Sequence, residues 1–353
     1  MNRTGLFLGI VAIAAMFAAC QPYRMVSLDT YRPATVTFPS EIKQVMIVNN
    51  AAQQPDDFGH QVIGSEKGDS AFSISADSLA YHFCLALGKA IAESPLFEDV
   101  RICDDTIRTD SLFMVSRPLK QGEVLPFCEN YGVDALITLD KLYFKTSLFN
   151  IYQRALYNLR YISVEINGEL RALYPDSPVA FTVPFVDTLA WTLEEEYFPS
   201  SKSAAIAVSK QDIKIAMRVL SEYMGESLHI HFVPHWSAVD RWYYTSMLSG
   251  WKQATAYAFA GKWPAATAEW LRLYSKATKW QHKARLASNL ALCYEIAGDF
   301  AKAVAFAQEA SALFEQKAPA DDAKRKKQQE YFEQLTKRQE DDRTLSIQLR
   351  EVD

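Results

Sequence analysis

Apolar residues fall along this chain in several rhythms, and each predicts a different element. Val45-Met46-Ile47-Val48 is an unbroken apolar run, the pattern of a strand covered on both faces. Leu79, Phe83, Leu87 and Ile91 recur every four residues between Ser75 and Ser94, predicting an amphipathic helix that Pro95 ends. Phe97–Cys103 reads as a second short strand and Gly122–Tyr131 as a helix. Gly132-Val133-Asp134 then turns into a strand at Ala135–Leu139, which continues with alternating polarity through Leu142–Phe149. Alternation returns in Tyr161–Tyr174, with Val164, Ile166, Leu170 and Ala172 on one parity. It returns again in Val179–Leu193, with Phe181, Val183, Phe185 and Trp191. Both predict antiparallel strands with one wet face. Ala204–Met224 carries Ile206, Ile213, Met217, Leu220 and Met224 on one helical side, and Leu228–Val233 is expected to close the domain as a strand. Residues 43–236 are therefore expected to form an α/β (α+β) mixed-sheet domain.

Beyond residue 236 the pattern is helical and repeats. Gly261-Lys262-Trp263-Pro264-Ala265-Ala266 and Gly298-Asp299-Phe300-Ala301-Lys302-Ala303 carry the same residue classes 37 positions apart. Ala254 matches Ala291 and Tyr257 matches Tyr294 at that same spacing. A glycine ends the first helix of each unit, an aromatic opens the second, and a small alanine lets the two approach. These positions resemble those of tetratricopeptide (TPR) repeats, nominally about 34 residues long. The motif residues are Ala254, Tyr257, Gly261, Trp263 and Ala266 in the first unit, and Ala291, Tyr294, Gly298, Phe300 and Ala303 in the second. Two units are few for a free-standing array, so flanking caps are expected at Ser237–Met247 and Asp321–Lys337. The all-α, TPR-like domain is placed at residues 237–337, with a charged tail at 338–353.

The amino terminus adds a location. Arg3 precedes an apolar run from Leu6 to Phe17, and Phe17-Ala18-Ala19-Cys20 follows. A positive start, a short apolar segment and small residues before a cleavage point make a secretory signal. The run is short for a membrane span, which needs about 20 residues. The cysteine after two alanines resembles the lipobox of bacterial lipoproteins, with Phe17 where leucine is usual. That resemblance implies a signal peptide at 1–19, an acylated Cys20 as mature terminus, and a tether at 20–42. Gln21 rather than Asp after the cysteine implies sorting to the outer membrane. The absence of an acidic run in Pro22-Tyr23-Arg24-Met25 implies its periplasmic side, the cell surface being the alternative.

Composition limits the chemistry. Apolar residues make up 49% of the chain, enough for packed cores, and a net charge of −5 argues against nucleic-acid partners. Cys84, Cys103, Cys128 and Cys293 show no CxxC spacing, so no structural zinc site is expected, and the α/β domain is expected to fold without a disulfide. No HExxH, GxSxG, P-loop or GxGxxG appears. His229, His231 and His235 would share one face of a strand, but partly exposed polar residues are the better reading. Glu194–Glu196 and Asp104-Asp105 are adjacent acids that point apart on a strand, unlike glycosidase pairs. The aromatics Trp236, Trp242, Tyr243, Tyr244 and Trp251 either pack a domain junction or line a ligand groove at Trp236 and Trp242.

The order of strand, helix, strand, helix and the Gly132–Leu139 phrase resembles, at fold level, the small α/β domains of the TolB amino-terminal region and of curli-secretion and penicillin-binding-protein-activator lipoproteins. The lipobox, the α/β domain, the His235–Tyr244 segment and the paired repeats together resemble an uncharacterised family of TPR-containing bacterial lipoproteins. That resemblance implies no active-site residues. The expected role is a non-enzymatic, membrane-tethered scaffold that holds an envelope protein or peptide on the TPR surface, without cofactor or metal. The alternative is a carbohydrate-binding lipoprotein or envelope enzyme that uses the aromatic junction.

Overall fold

Four consecutive apolar residues need a strand covered on both sides, and β2 (Gln44–Asn49) is such a strand. Val45 and Ile47 join one apolar cluster and Met46 and Val48 another, with none more than 4% exposed. The computed structural model describes residues 23–63, 70–103, 107–152, 158–175, 180–194, 202–320 and 322–349. It comprises an N-terminal mixed α/β sheet region over residues 23–244 and an all-helical region over residues 249–348.

A seven-stranded sheet organises the first region. β2 lies parallel to β5 (Asp99–Ile102) on one side and to the first part of β6 (Ala135–Tyr152) on the other. The later part of β6 runs parallel to β3 (His60–Ile63), which pairs antiparallel with β4 (Ser70–Ala71). β7 (Asn158–Leu173) follows β6 antiparallel along its length, and β8 (Phe181–Glu194) follows β7. Leu139 pairs with Leu170 and Lys141 with Glu169, so Asp140 is the extra residue of a bulge. The bulge switches parity: Ala135, Ile137 and Leu139 enter the main core before it, and Leu142, Phe144 and Leu148 after it.

Two helices cover that core face. α1 (Leu79–Ala92) lies over β5 and β2, and α3 (Lys202–Ser227) over β7 and β8. They touch each other where Ser221 Oγ donates to the Leu79 carbonyl at 2.7 Å. α2 (Gln121–Tyr131) covers the other face at Met46, Val48 and Leu136. Cys84, Cys128 and Cys293 are buried free thiols, pushed up to about 12, 11 and 11 by loss of water; Cys103 is buried too.

Several sequence expectations need correction. The stretch expected to close the domain as a strand at Leu228–Val233 is a 3-10 turn, Leu228–His231, that prolongs α3. Val233 N–H bonds the His229 carbonyl, so local bonds satisfy this backbone and no ladder forms. Ser237–Met247, expected as a helical cap, lies mostly in strand β9 (His235–Tyr244). The tether expected at 20–42 contains β1 (Tyr23–Arg32), which pairs with β9, and further on Ala34, Val36, Phe38 and Ile42 are buried. Among the described residues the chain thus divides into one compact unit of 34–235 with 348–349, and another of 23–33 with 236–347.

The helical unit contains α4 (Ser249–Phe259), α5 (Trp263–Ser275), α6 (Trp280–Ile296), α7 (Phe300–Lys317) and α8 (Ala323–Gln348). α8 runs through most of the segment expected as a charged tail, because Tyr331, Leu335 and Leu345 give it a buried side. No helix among the described residues is long and apolar enough to cross a membrane.

Candidate functional site

The repeated residues occupy equivalent places in two helix pairs, α4/α5 and α6/α7. Ala254 and Ala291 are fully buried on the first helices, and Ala266 and Ala303 on the second. A side chain larger than a methyl at these four places would push the helices apart. Gly261 and Gly298 adopt φ of +70° and +76°, the left-handed turn that glycine takes without a Cβ penalty. The turns match bond for bond. Lys262 N–H reaches the Tyr257 carbonyl at 2.9 Å and Asp299 N–H reaches that of Tyr294 at 3.0 Å. Ala266 and Ala303 then bond Lys262 and Asp299, each at 3.0 Å. Trp263 and Phe300 open the second helices, and Asp299 also caps α7 by accepting from Lys302 N–H. Tyr257 and Tyr294 are half-buried, and Tyr294 stacks on Phe306 at 5.5 Å.

The face formed by α6 and α8 is already filled, and β9 fills it. Asn289 holds the strand backbone with both ends of its amide: Oδ1 accepts from Tyr244 N–H at 2.6 Å and Nδ2 donates to the Tyr244 carbonyl at 2.9 Å. Arg241 points from the strand into the helices, where Glu295 takes its guanidinium at 2.8–3.0 Å. Tyr331 Oη donates to the same carboxylate. Burial, then the nearby Glu295 charge, push the Tyr331 phenol well above its ordinary range. Gln328 donates to Tyr244 Oη and Ser288 Oγ. Lys327 lies 4.1 Å from the Tyr23 ring centroid and 4.0 Å from that of Trp242. Thr30 donates to the Ser237 carbonyl, and Tyr31 stands 5.0 Å from Trp236, which fixes how β1 lies beside β9.

The remaining sequence candidates are not assembled into a site. Trp236 is 70% exposed and Trp242 only 8%. Six residues of strand separate them by about 20 Å, so they do not share a groove. His229 Nδ1 bonds the Glu226 carbonyl, while His231 Nδ1 lies 3.0 Å from Thr35 Oγ1. Among the described residues no group of three or more His, Cys, Asp or Glu is placed to hold a metal. Cys20, Asp104-Asp105 and Glu195-Glu196 lie outside the described residues, and Glu194 ends β8.

Sequence reasoning missed a polar cluster on the sheet. Asp140, the bulge residue, is fully buried; Asn50 donates to its Oδ1 at 2.8 Å and Arg171 to its Oδ2 at 2.9 Å. Burial holds this carboxyl above its ordinary value although Asn50, Arg171 and Thr138 oppose that rise. Arg108 donates to the Asp140 carbonyl, to those of Leu112 and Val115, and to both oxygens of Asp110. Its hydrogen bonds bring Asp110 down to about 2. With Ser116 on Glu169 and Asn50 on the Arg117 carbonyl, the cluster straps residues 108–117 to β6 and β7. Protein groups partner both Asp140 carboxylate oxygens and the Arg108 guanidinium, so the cluster pins this segment to the sheet. A charge directly after the apolar run Ala135–Leu139 was its one sequence signal. A cleft of about 40 Å³ lined by Asn49, Gln54, Leu79 and Phe144 is far smaller than the 300–1,000 Å³ or so of small-molecule sites.

Residues 42–244 match the family described as domain of unknown function DUF8603, and residues 252–337 match domain of unknown function DUF6340. The first match covers more than half of the chain, and the chain belongs to that family. No curated protein matches it. Solved structures with some similarity include a minor lipoprotein from Acinetobacter baumannii, at 10% identity over 56% of this chain and 97% of that one, with a TM-score of 0.26. A putative neuraminyllactose-binding hemagglutinin homolog from Helicobacter pylori is similar at 9% identity over 56% and 90%, with a TM-score of 0.26. Lipoprotein GNA1162 from Neisseria meningitidis follows at 11% over 49% and 98%, with a TM-score of 0.17.

Proposed function

We propose that this chain is a lipid-anchored envelope scaffold that holds a protein partner on its helical array. The carrying observation is the pair of TPR-like helix pairs, whose small, aromatic and glycine positions coincide in burial and hydrogen bonding. Repeats of this kind stack to present an extended surface to other proteins. Cys20 is the residue to be acylated, and the outer membrane facing the periplasm is the location its flanking residues favour. Since β9 covers the face of α6 and α8, the surface offered to a partner is the α4 end. There Met247, Leu248 and Phe259 are 73%, 52% and 74% exposed. The test is recovery of partners with the full chain from solubilised envelopes. A protein recovered with the wild type and lost with Phe259→Asp or Met247→Asp supports the reading. Equal recovery with all three overturns it.

A further inference from the structure

β8 is the outer strand of the sheet, and among the described residues it pairs with β7 alone. Such an edge presents a row of backbone donors and acceptors that can template another strand, and proteins normally blunt it with charges, prolines or shortness. β8 has little of this protection. It is 14 residues long, and Asp187 is its single charge between Phe181 and Thr192. Pro184 lacks an N–H but sits near the start, leaving Phe185–Thr192 open. Along that stretch Val186 is 62% exposed on one sheet face and Leu189 37% on the other.

A second feature borders the same edge. α3 lies over β7 and β8 with α1 on its inner side. Ser221 and Gly225 mark the flank of α3 that meets α1, and Ile213 and Met217 point into the core. At about 100° per residue, Val219 and Tyr223 face neither, so they lie towards solvent and the β8 border. They are 47% and 56% exposed.

We propose that β8 pairs with β8 of a second copy of this chain, antiparallel across a two-fold axis, with Val219 and Tyr223 of both copies closing over the seam. An isologous contact places the same patch on both sides, which covers the apolar residues of each copy at once. With the axis at Ala190, so that this residue faces its own copy, Asp187 faces Leu193 and Glu194 faces Val186, and no like charges meet. An identical strand also matches the open length and its boundary at Pro184.

The test uses the full, anchored chain in intact cells, where single cysteines report proximity without a detergent micelle. Under mild oxidation Leu189→Cys or Ala190→Cys should give a disulfide-linked dimer, whereas Lys252→Cys on α4 should not. Adding Tyr223→Lys to Ala190→Cys should lower the dimer yield several-fold, and thermal unfolding of that variant should match the wild type. No linked dimer at either edge position, or equal yield at Lys252→Cys, overturns the proposal. So does a linked product with a different protein.

Discussion

Arg171 in the sheet unit has two carboxylates, Asp140 at 2.9 Å and Glu169 at 2.7 Å, whereas Arg241 in the helical unit has one, Glu295 at 2.8 Å. Both arginines fix an extended segment against regular structure, but they divide the risk differently. On the sheet, Asp140 is buried so completely that desolvation outweighs its partners, and Glu169 stays with Arg171 if the Asp140 charge is lost. In the helices, Arg241 and Glu295 are 5% and 2% exposed at their side chains, and removal of either leaves the other with neutral partners only, Gln334 for Arg241 and Tyr331 for Glu295. A shared network tolerates loss of a member; an exclusive pair does not.

The sharpest break in that comparison is therefore Glu295→Ala against Asp140→Asn. The first should cost the helical unit about 3–5 kcal/mol, the second the sheet unit only about 1 kcal/mol. Tryptophan fluorescence in urea reads the helical unit, since six of the seven tryptophans lie there and only Trp191 lies in the sheet unit. Far-UV dichroism reads both. Equal losses would mean that sharing a carboxylate confers no tolerance. Asn289→Ala comes next, because it leaves the Tyr244 N–H and carbonyl without a partner in a dry place. About 2–4 kcal/mol should be lost from the fluorescence transition. Gly261→Ala and Gly298→Ala should each cost roughly 1–2 kcal/mol, and by similar amounts, since both turns have positive φ and open space around the added methyl. Markedly unequal costs would show that the two helix pairs are not equivalent.

The smallest effect is a slope with pH in the sheet unit. His60 is 2% exposed, and burial lowers its pKa below the ordinary 6.5, with Lys210 adding to the fall and Asp56 opposing it. The unfolded chain thus takes up this proton first. Stability from the neutral imidazole is whole above about 6.5 and declines as pH falls below that value towards the lowered folded pKa. Urea midpoints of the dichroism transition between pH 7.5 and 5.5 should slope accordingly, and His60→Gln should flatten them. An unchanged slope in that variant would assign the effect to other groups.

Much of the sheet was legible because burial on both faces demands an unbroken apolar run at Val45–Val48, and one wet face demands the alternation in Tyr161–Tyr174. The helix pairs were legible because their packing reuses the same small and aromatic residues 37 positions apart. What escaped were elements whose reasons are distant. β1 is a strand because β9, about two hundred residues later, pairs with it, and nothing in Tyr23–Arg32 announces that partner. His235–Tyr244 was open to misreading for the same reason: Asn289 and Glu295 complete it from another element. Asp140 needed knowledge of a bulge, which depends on the register of two strands rather than on local sequence.

The partner surface proposed for the helical array lies at its α4 end, away from the face of α6 and α8 that β9 fills. A photo-crosslinking residue placed in cells at Phe259, at Trp242 beneath Lys327, and at exposed Leu125 of the sheet unit tests it most directly. A discrete covalent adduct with another protein is expected from position 259 and none from 242 or 125. No adduct at 259, or the same adduct from all three positions, would contradict it.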